Sequence, residues 1–203
     1  MRDLSDGVIL PTLPFCARVG ALVLVAAVVA GVERLVRGDR ATRWMEYGAL
    51  LAGAGLGSIL GAAVDAVTSS ISPEYFAFGK GLGAEAGLTQ RALLLGAQAG
   101  FVGGAVITGI LLVAMKPDWT LRRVEVARLA RASACVAICS FATAAVVCLG
   151  VWRLLAQHPL SPYAGFQLVW CTHLGVYVGA IAAMIHVARR AKRSRIAGST
   201  RGA

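Results

Sequence analysis

Apolar positions along the chain gather into five long blocks, at about residues 15–36, 47–70, 90–115, 132–156 and 163–188, separated by short stretches rich in arginine, glycine or proline. At 1.5 Å of rise per residue, each block is long enough as a helix to cross a hydrocarbon layer of about 30 Å. The pattern predicts an all-α, polytopic integral membrane helix bundle with about five transmembrane helices, forming one membrane domain that ends in a basic tail at 189–203. A cleaved signal peptide is the rival reading of the first block. It is disfavoured by Asp3 and Asp6 ahead of the block, by Pro11 and Pro14, and by an apolar run longer than a signal sequence needs.

Small residues pattern the blocks further. Gly53, Gly57 and Gly61 recur every fourth residue in the second span, and Gly96, Gly100 and Gly104 do so in the third. Rows of this kind let two helix backbones approach closely, and association in lipid depends on such packing. The two spans are therefore expected to pack together. Asp65 continues the first row and is expected near its glycine face, since four residues advance a helix by only about 40° past a full turn. The fifth span carries Gln167, Trp170, His173 and Tyr177 at spacings of three and four, which predicts a polar and aromatic stripe, with a small-residue row at Gly175, Gly179 and Ala183.

The connector from Ile71 to Thr89 is the longest between spans. Ser72 suits a helix N-cap, Pro73 the first helical position, and Glu74 the positive end of the helix dipole. Tyr75, Phe76 and Phe78 follow, then Gly79 and Gly81, so a short interfacial helix is expected after the second span.

Composition supports a lipid environment. The 203 residues are 58% hydrophobic and 15% charged, against about 25% charged in soluble domains, and the mean hydropathy is +0.72. A net charge of +10 would point to nucleic acid in a soluble protein, but here the arginines are interleaved between apolar spans and no nucleic-acid partner is expected. With the N-terminus outside and the C-terminus inside, 15 of the 20 Lys and Arg fall on cytoplasmic segments, which satisfies the positive-inside rule. Trp44 and Trp119 then stand near the inner boundary, and Trp152 and Tyr163 near the outer one. Arg189, Arg190, Lys192, Arg193 and Arg195 are placed to meet anionic lipid headgroups, at about 1 kcal/mol per positive residue near the surface, and the tail itself is expected to be disordered.

The chemistry-bearing residues are few. The five cysteines, Cys16, Cys135, Cys139, Cys148 and Cys171, form no C-x-x-C pair and read as small packing residues. The chain has no G-x-x-x-x-G-K-S/T, H-E-x-x-H, C-x-x-C-H or G-x-S-x-G motif, and no cofactor or metal is expected. An ionisable residue within a span is a functional candidate by default. On this topology Asp65, Glu74, Tyr75 and His173 make a candidate polar site in the outer half. Asp65 and His173, if they met, would suit a proton or cation. His158 and His186 read as solvated surface residues.

From Asp65 through Thr68, Ile71, Ser72, Glu74 and Tyr75 to Phe76, the chain resembles an uncharacterised family of bacterial polytopic membrane proteins with the signature D-x-x-T-x-x-I/V-S/C-x-E-Y-F. The likeness covers roughly the second and third spans. It departs beside the aspartate, where family members often have His or Gln and this chain has Val64 and Ala66. The resemblance implies a multi-pass protein of a bacterial inner membrane and carries no activity with it. Small size and the lack of a catalytic motif make a structural or accessory subunit of a membrane assembly the leading expectation, with other membrane subunits as partners. A small transporter or channel with an outward-facing polar site around Asp65 is the alternative, and a metal-dependent membrane enzyme using Asp65, Glu74 and His173 ranks last.

Overall fold

The structure is a computed structural model that describes residues 12–41, 43–84, 86–115, 123–156 and 163–199, with the side chains of 12–14, 123–125 and 194–199 outside that description. The expectations for Asp3, Asp6, Pro11, Trp119 and His158 therefore fall outside the described residues, as do the side chains of Pro14 and Arg195. Five long helices make up the described chain: α1 (Thr12–Arg37), α2 (Arg43–Ile71), α3 (Leu88–Met115), α4 (Arg123–Ala156) and α5 (Ala164–Ser199). All five are long and apolar enough to cross a membrane. The protein is thus built as an all-helical, multi-pass membrane protein.

Two helical hairpins organise the bundle. In the first, α2 and α3 run antiparallel with their glycine rows face to face, so that a Cβ added at Gly57 would run into the carbonyl oxygen of Gly100, and one added at Gly61 into that of Gly96. The backbones themselves are in contact, which only glycine permits at this separation. In the second, α4 and α5 pack through Gly175 against Ala144 and Val147, and through Gly179 against Ser140 and Thr143. Ser140 Oγ also donates to the Val176 carbonyl at 3.0 Å, which ties this hairpin together by a hydrogen bond across its helices.

The hairpins meet at their two ends. At one end Leu111, Leu112, Leu129, Ala132, Val136 and Ala183 form an apolar cluster flanked by Leu50, Met115 and Val187. At the other, Tyr75, Phe76, Leu82, Ala92 and Val169 form a second cluster flanked by Leu88, Leu95 and Phe166. α1 lies against the outside of the first hairpin, with Phe15 edge-on to Phe101 at 5.7 Å. Its C-terminus is tied to α2 by the buried Glu33, whose Oε2 accepts from the Arg43 backbone amide at 2.8 Å while Oε1 pairs with Arg37 at 3.2 Å. A carboxylate here satisfies one of the amides that the first turn of α2 leaves without an intrahelical partner.

Three expectations need correction. The basic segment before the fourth span is not a connector throughout, because α4 begins at Arg123 and carries Arg128 and Arg131 in its first turns. The tail is not disordered from residue 189, because α5 continues to Ser199. Alanine, arginine and lysine are all strong helix formers and no breaker interrupts them before Gly198, so the helix runs past its apolar portion. The stripe drawn through Gln167, Trp170 and Tyr177 does not share a face with His173: Gln167, Trp170 and Tyr177 are exposed and His173 is buried. Two steps of three set Gln167 about 120° from His173, whereas 166, 169 and 173 lie within about 60° of one another and form the inward face.

Candidate functional site

The site begins where α2 ends. The Ser72 hydroxyl lies 3.3 Å from the Tyr75 amide, which donates to it, and itself donates to Glu74 at 3.1 Å, so Ser72 caps the short helical segment that follows. That segment is wound as a π-helical turn over Tyr75–Gly79, closed by Lys80 N–H donating to the Tyr75 carbonyl at 2.9 Å. Such i→i+5 turns are rare and recur at functional sites. Gly81 follows at φ +67°, a backbone setting that suits glycine and lets the chain leave the turn at once. Tyr75, Phe76 and Ala77 are buried and Phe78 is exposed, so most of the aromatic side of this segment points into the bundle.

Tyr75 inserts between two residues of α5. Its ring stands edge-on to Phe166 at 5.2 Å and stacks on His173 at 5.3 Å with an interplanar angle of 22°. Phe76 meets the same imidazole edge-on at 6.1 Å. The Lys80 ammonium lies 5.5 Å from the Tyr75 ring centroid, within the range of a cation–π contact. Burial, and after it the negative charge of Asp65, push the Tyr75 hydroxyl above its ordinary range near 10, so at neutral pH the phenol keeps its proton.

The centre of this arrangement is a bond between hairpins. His173 Nε2 lies 2.8 Å from Asp65 Oδ1, and both residues are buried, at 8% and 6% exposure. The other ring nitrogen, Nδ1, lies 2.9 Å from the Val169 carbonyl oxygen. A carbonyl only accepts, so Nδ1 must carry a hydrogen. With Nδ1 protonated, a neutral imidazole presents a lone pair at Nε2, and a carboxylate presents lone pairs as well. A proton must therefore lie between Nε2 and Oδ1, on the ring or on the carboxyl. In either placement the pair has no net charge. Without that proton, two lone pairs would face each other at 2.8 Å in a buried setting, at the full cost of unsatisfied polar groups.

Between the two apolar end clusters the hairpins stand apart around a cleft of about 380 Å³. Gly57, Gly61 and Gly100 floor it on one side, and Val136, Ser140 and Val176 wall it on the other. Asp65, His173 and Lys80 form one end of the lining, and Thr108 lies toward the other, about 18 Å away as measured by the 12 residues of α2 between Gly53 and Asp65.

Of the four residues expected to form a polar site, the structure brings together Asp65, Tyr75 and His173 and leaves out Glu74, which is exposed and engaged with Ser72. Among the described residues no group of three His, Cys, Asp or Glu side chains converges in a way that could hold a metal ion. All five cysteines are free thiols and none belongs to the site. Lys80 was absent from the sequence reading as a site residue. The signal for it was its i+5 spacing from Tyr75 between Gly79 and Gly81. Phe166 was also missed, and its spacing of seven from His173 would have placed the two on one helical face. On the basic helix end, Arg189, Arg190, Lys192 and Arg193 are exposed on the last turns of α5.

No protein-family model matches the chain, no curated protein resembles it, and no solved structure shares its fold at a significant level.

Proposed function

We propose that the protein is a small proton-responsive carrier of a bacterial plasma membrane, in which a proton held between Asp65 and His173 clamps one hairpin to the other at one end of the central cleft. The observation that carries this reading is the 2.8 Å contact between two buried ionisable side chains on different hairpins. Ionisable groups inside a membrane domain are costly and mark proton and ion pathways. This pair joins the two hairpins by a polar side-chain bond between buried residues. The glycine contacts within α2 and α3 make that hairpin a rigid body, so losing the clamp frees one body against another rather than unravelling a helix. Charge supports the orientation in this reading: Arg37, Arg40, Arg43, Arg128, Arg131 and the last turns of α5 occur at the end opposite Asp65, as the positive-inside rule asks if the proton pair faces outward.

Spin labels at the exposed Ile59 on α2 and Ile138 on α4, in a background with the native cysteines replaced, measure the separation of the hairpins. The distance distribution is expected to widen or shift as pH is raised in the wild-type background, and to be independent of pH when Asp65 and His173 are both replaced by leucine. A distribution that ignores pH in the wild-type background, or one that responds equally without the pair, removes the proposal.

A further inference from the structure

The cleft has chemistry that the proton clamp alone does not use. Its walls are apolar for most of their length, and its volume of about 380 Å³ lies at the small end of ligand pockets. Lys80, Asp65 and His173 line one end of it, while the hydroxyls of Thr108, Ser133 and Ser140 line the remainder. Lys80 is half-buried. No carboxylate of the described residues lies within ion-pair distance of its ammonium, whose described partner is the face of Tyr75. Lys80, Tyr75, His173 and Asp65 thus follow one another in a column of successive contacts: a cation at the Tyr75 ring, that ring stacked on the imidazole, and a carboxylate bonded to the imidazole edge.

The charge of that column depends on the proton. With the proton in place, the pair is neutral and the column carries +1 from Lys80. Without it the pair carries −1 and the column is neutral. We infer that the cleft binds a single-chain monoanionic amphiphile, with its acidic head at Lys80 and its apolar chain along the glycine-floored cleft, and that it does so together with the proton held by Asp65 and His173. The inference rests on the proton-clamp reading for its coupling and on Lys80 and the cleft for its ligand. An elongated apolar cavity with one cationic end selects a chain with an acidic head over a compact anion or a cationic amphiphile. Because the two binding events share one electrostatic balance, each strengthens the other to the same degree.

Decanoate is a suitable probe, titrated by calorimetry into the full-length protein in discs of zwitterionic lipid with empty discs subtracted. Saturable binding is expected, stronger at acidic than at alkaline pH. Decyltrimethylammonium and acetate are expected not to bind. Lys80→Ala should weaken decanoate about tenfold, the loss of one charge-assisted contact, and Lys80→Arg should restore most of it. If Asp65→Leu/His173→Leu still binds decanoate but without pH dependence, the ligand assignment and its coupling to the pair both stand. If decanoate binds saturably with the same affinity at all pH values in the wild type, the coupling is wrong while the ligand site survives. Competition by anionic lipid added to the discs would identify a bilayer lipid as the source of the same anionic chemistry. Equal binding by wild type and Lys80→Ala, or equal binding of the cationic amphiphile, overturns the inference and leaves the clamp to be judged by its own distance measurement.

Discussion

Replacing His173 with leucine should destabilise the protein by about 3–5 kcal/mol, the loss expected when one member of a buried pair is removed and the other is stranded. Asp65 would then be left in a buried setting whose only described polar partner was the lost imidazole. The reverse replacement, Asp65→Leu, should cost less, about 1–3 kcal/mol, because a neutral His173 keeps its Nδ1–H bond to the Val169 carbonyl. The double replacement should be less damaging than His173→Leu alone, since two apolar side chains can fill the space without stranding a charge. Unfolding of the four proteins in mixed micelles supplies the cycle. Strictly additive costs would show that the two side chains do not interact.

The second large effect lies within the α2 and α3 hairpin. Gly100→Ala adds a single methyl group, yet that methyl would collide with the carbonyl oxygen of Gly57, with the Gly57 carbonyl carbon at 2.7 Å and the Gly61 Cα at 3.2 Å. All three are backbone atoms and cannot rotate away, so the helices must separate. A cost of about 1–3 kcal/mol is expected, as for overpacking in general. Gly55→Ala is the control, because nothing lies within 4 Å of an added Cβ there. It should stabilise the protein by about 0.5–1 kcal/mol by removing backbone freedom in a helix. Opposite signs for two identical substitutions in adjacent helices would follow from the packing, whereas equal shifts in unfolding midpoint would contradict it.

Much of this architecture is legible in the sequence because it is periodic. Five apolar blocks of sufficient length give five helices, and the two glycine rows identify the helices that touch. The position of Asp65 four residues beyond Gly61 puts it on that same face, where its carboxylate lies within 3 Å of where a Gly96 Cβ would be. The meeting of Asp65 with His173 is not periodic. It joins residues 108 positions apart through the packing of one hairpin on another, and no spacing rule reports that distance. Lys80 was hidden for a different reason. As a lone charge in a connector it reads as a topology signal, and only the π-helical turn brings it back over Tyr75. The continuation of α5 to Ser199 is not legible from hydropathy, because charge ends the apolar portion of a helix and not the helix itself.

That meeting also changes the balance between the expected roles. Small size and missing motifs favoured an accessory subunit when Asp65 and His173 were two separate polar residues. Held together across the hairpins with a cleft beside them, they support the proposed carrier over an accessory subunit. Glu74, once a third member of that group, has a sufficient local role beside Ser72.

The clamp, and the coupling of the cleft to it, depend on a proton between His173 and Asp65. Solid-state NMR of protein labelled with ¹⁵N histidine and ¹³C aspartate in bilayers observes it directly. The account predicts a hydrogen on Nδ1, a through-space correlation between Nε2 and the Asp65 carboxyl carbon, and an Nε2 resonance that moves on Asp65→Asn. An Nε2 that shows no such correlation and the same resonance in both proteins would contradict it.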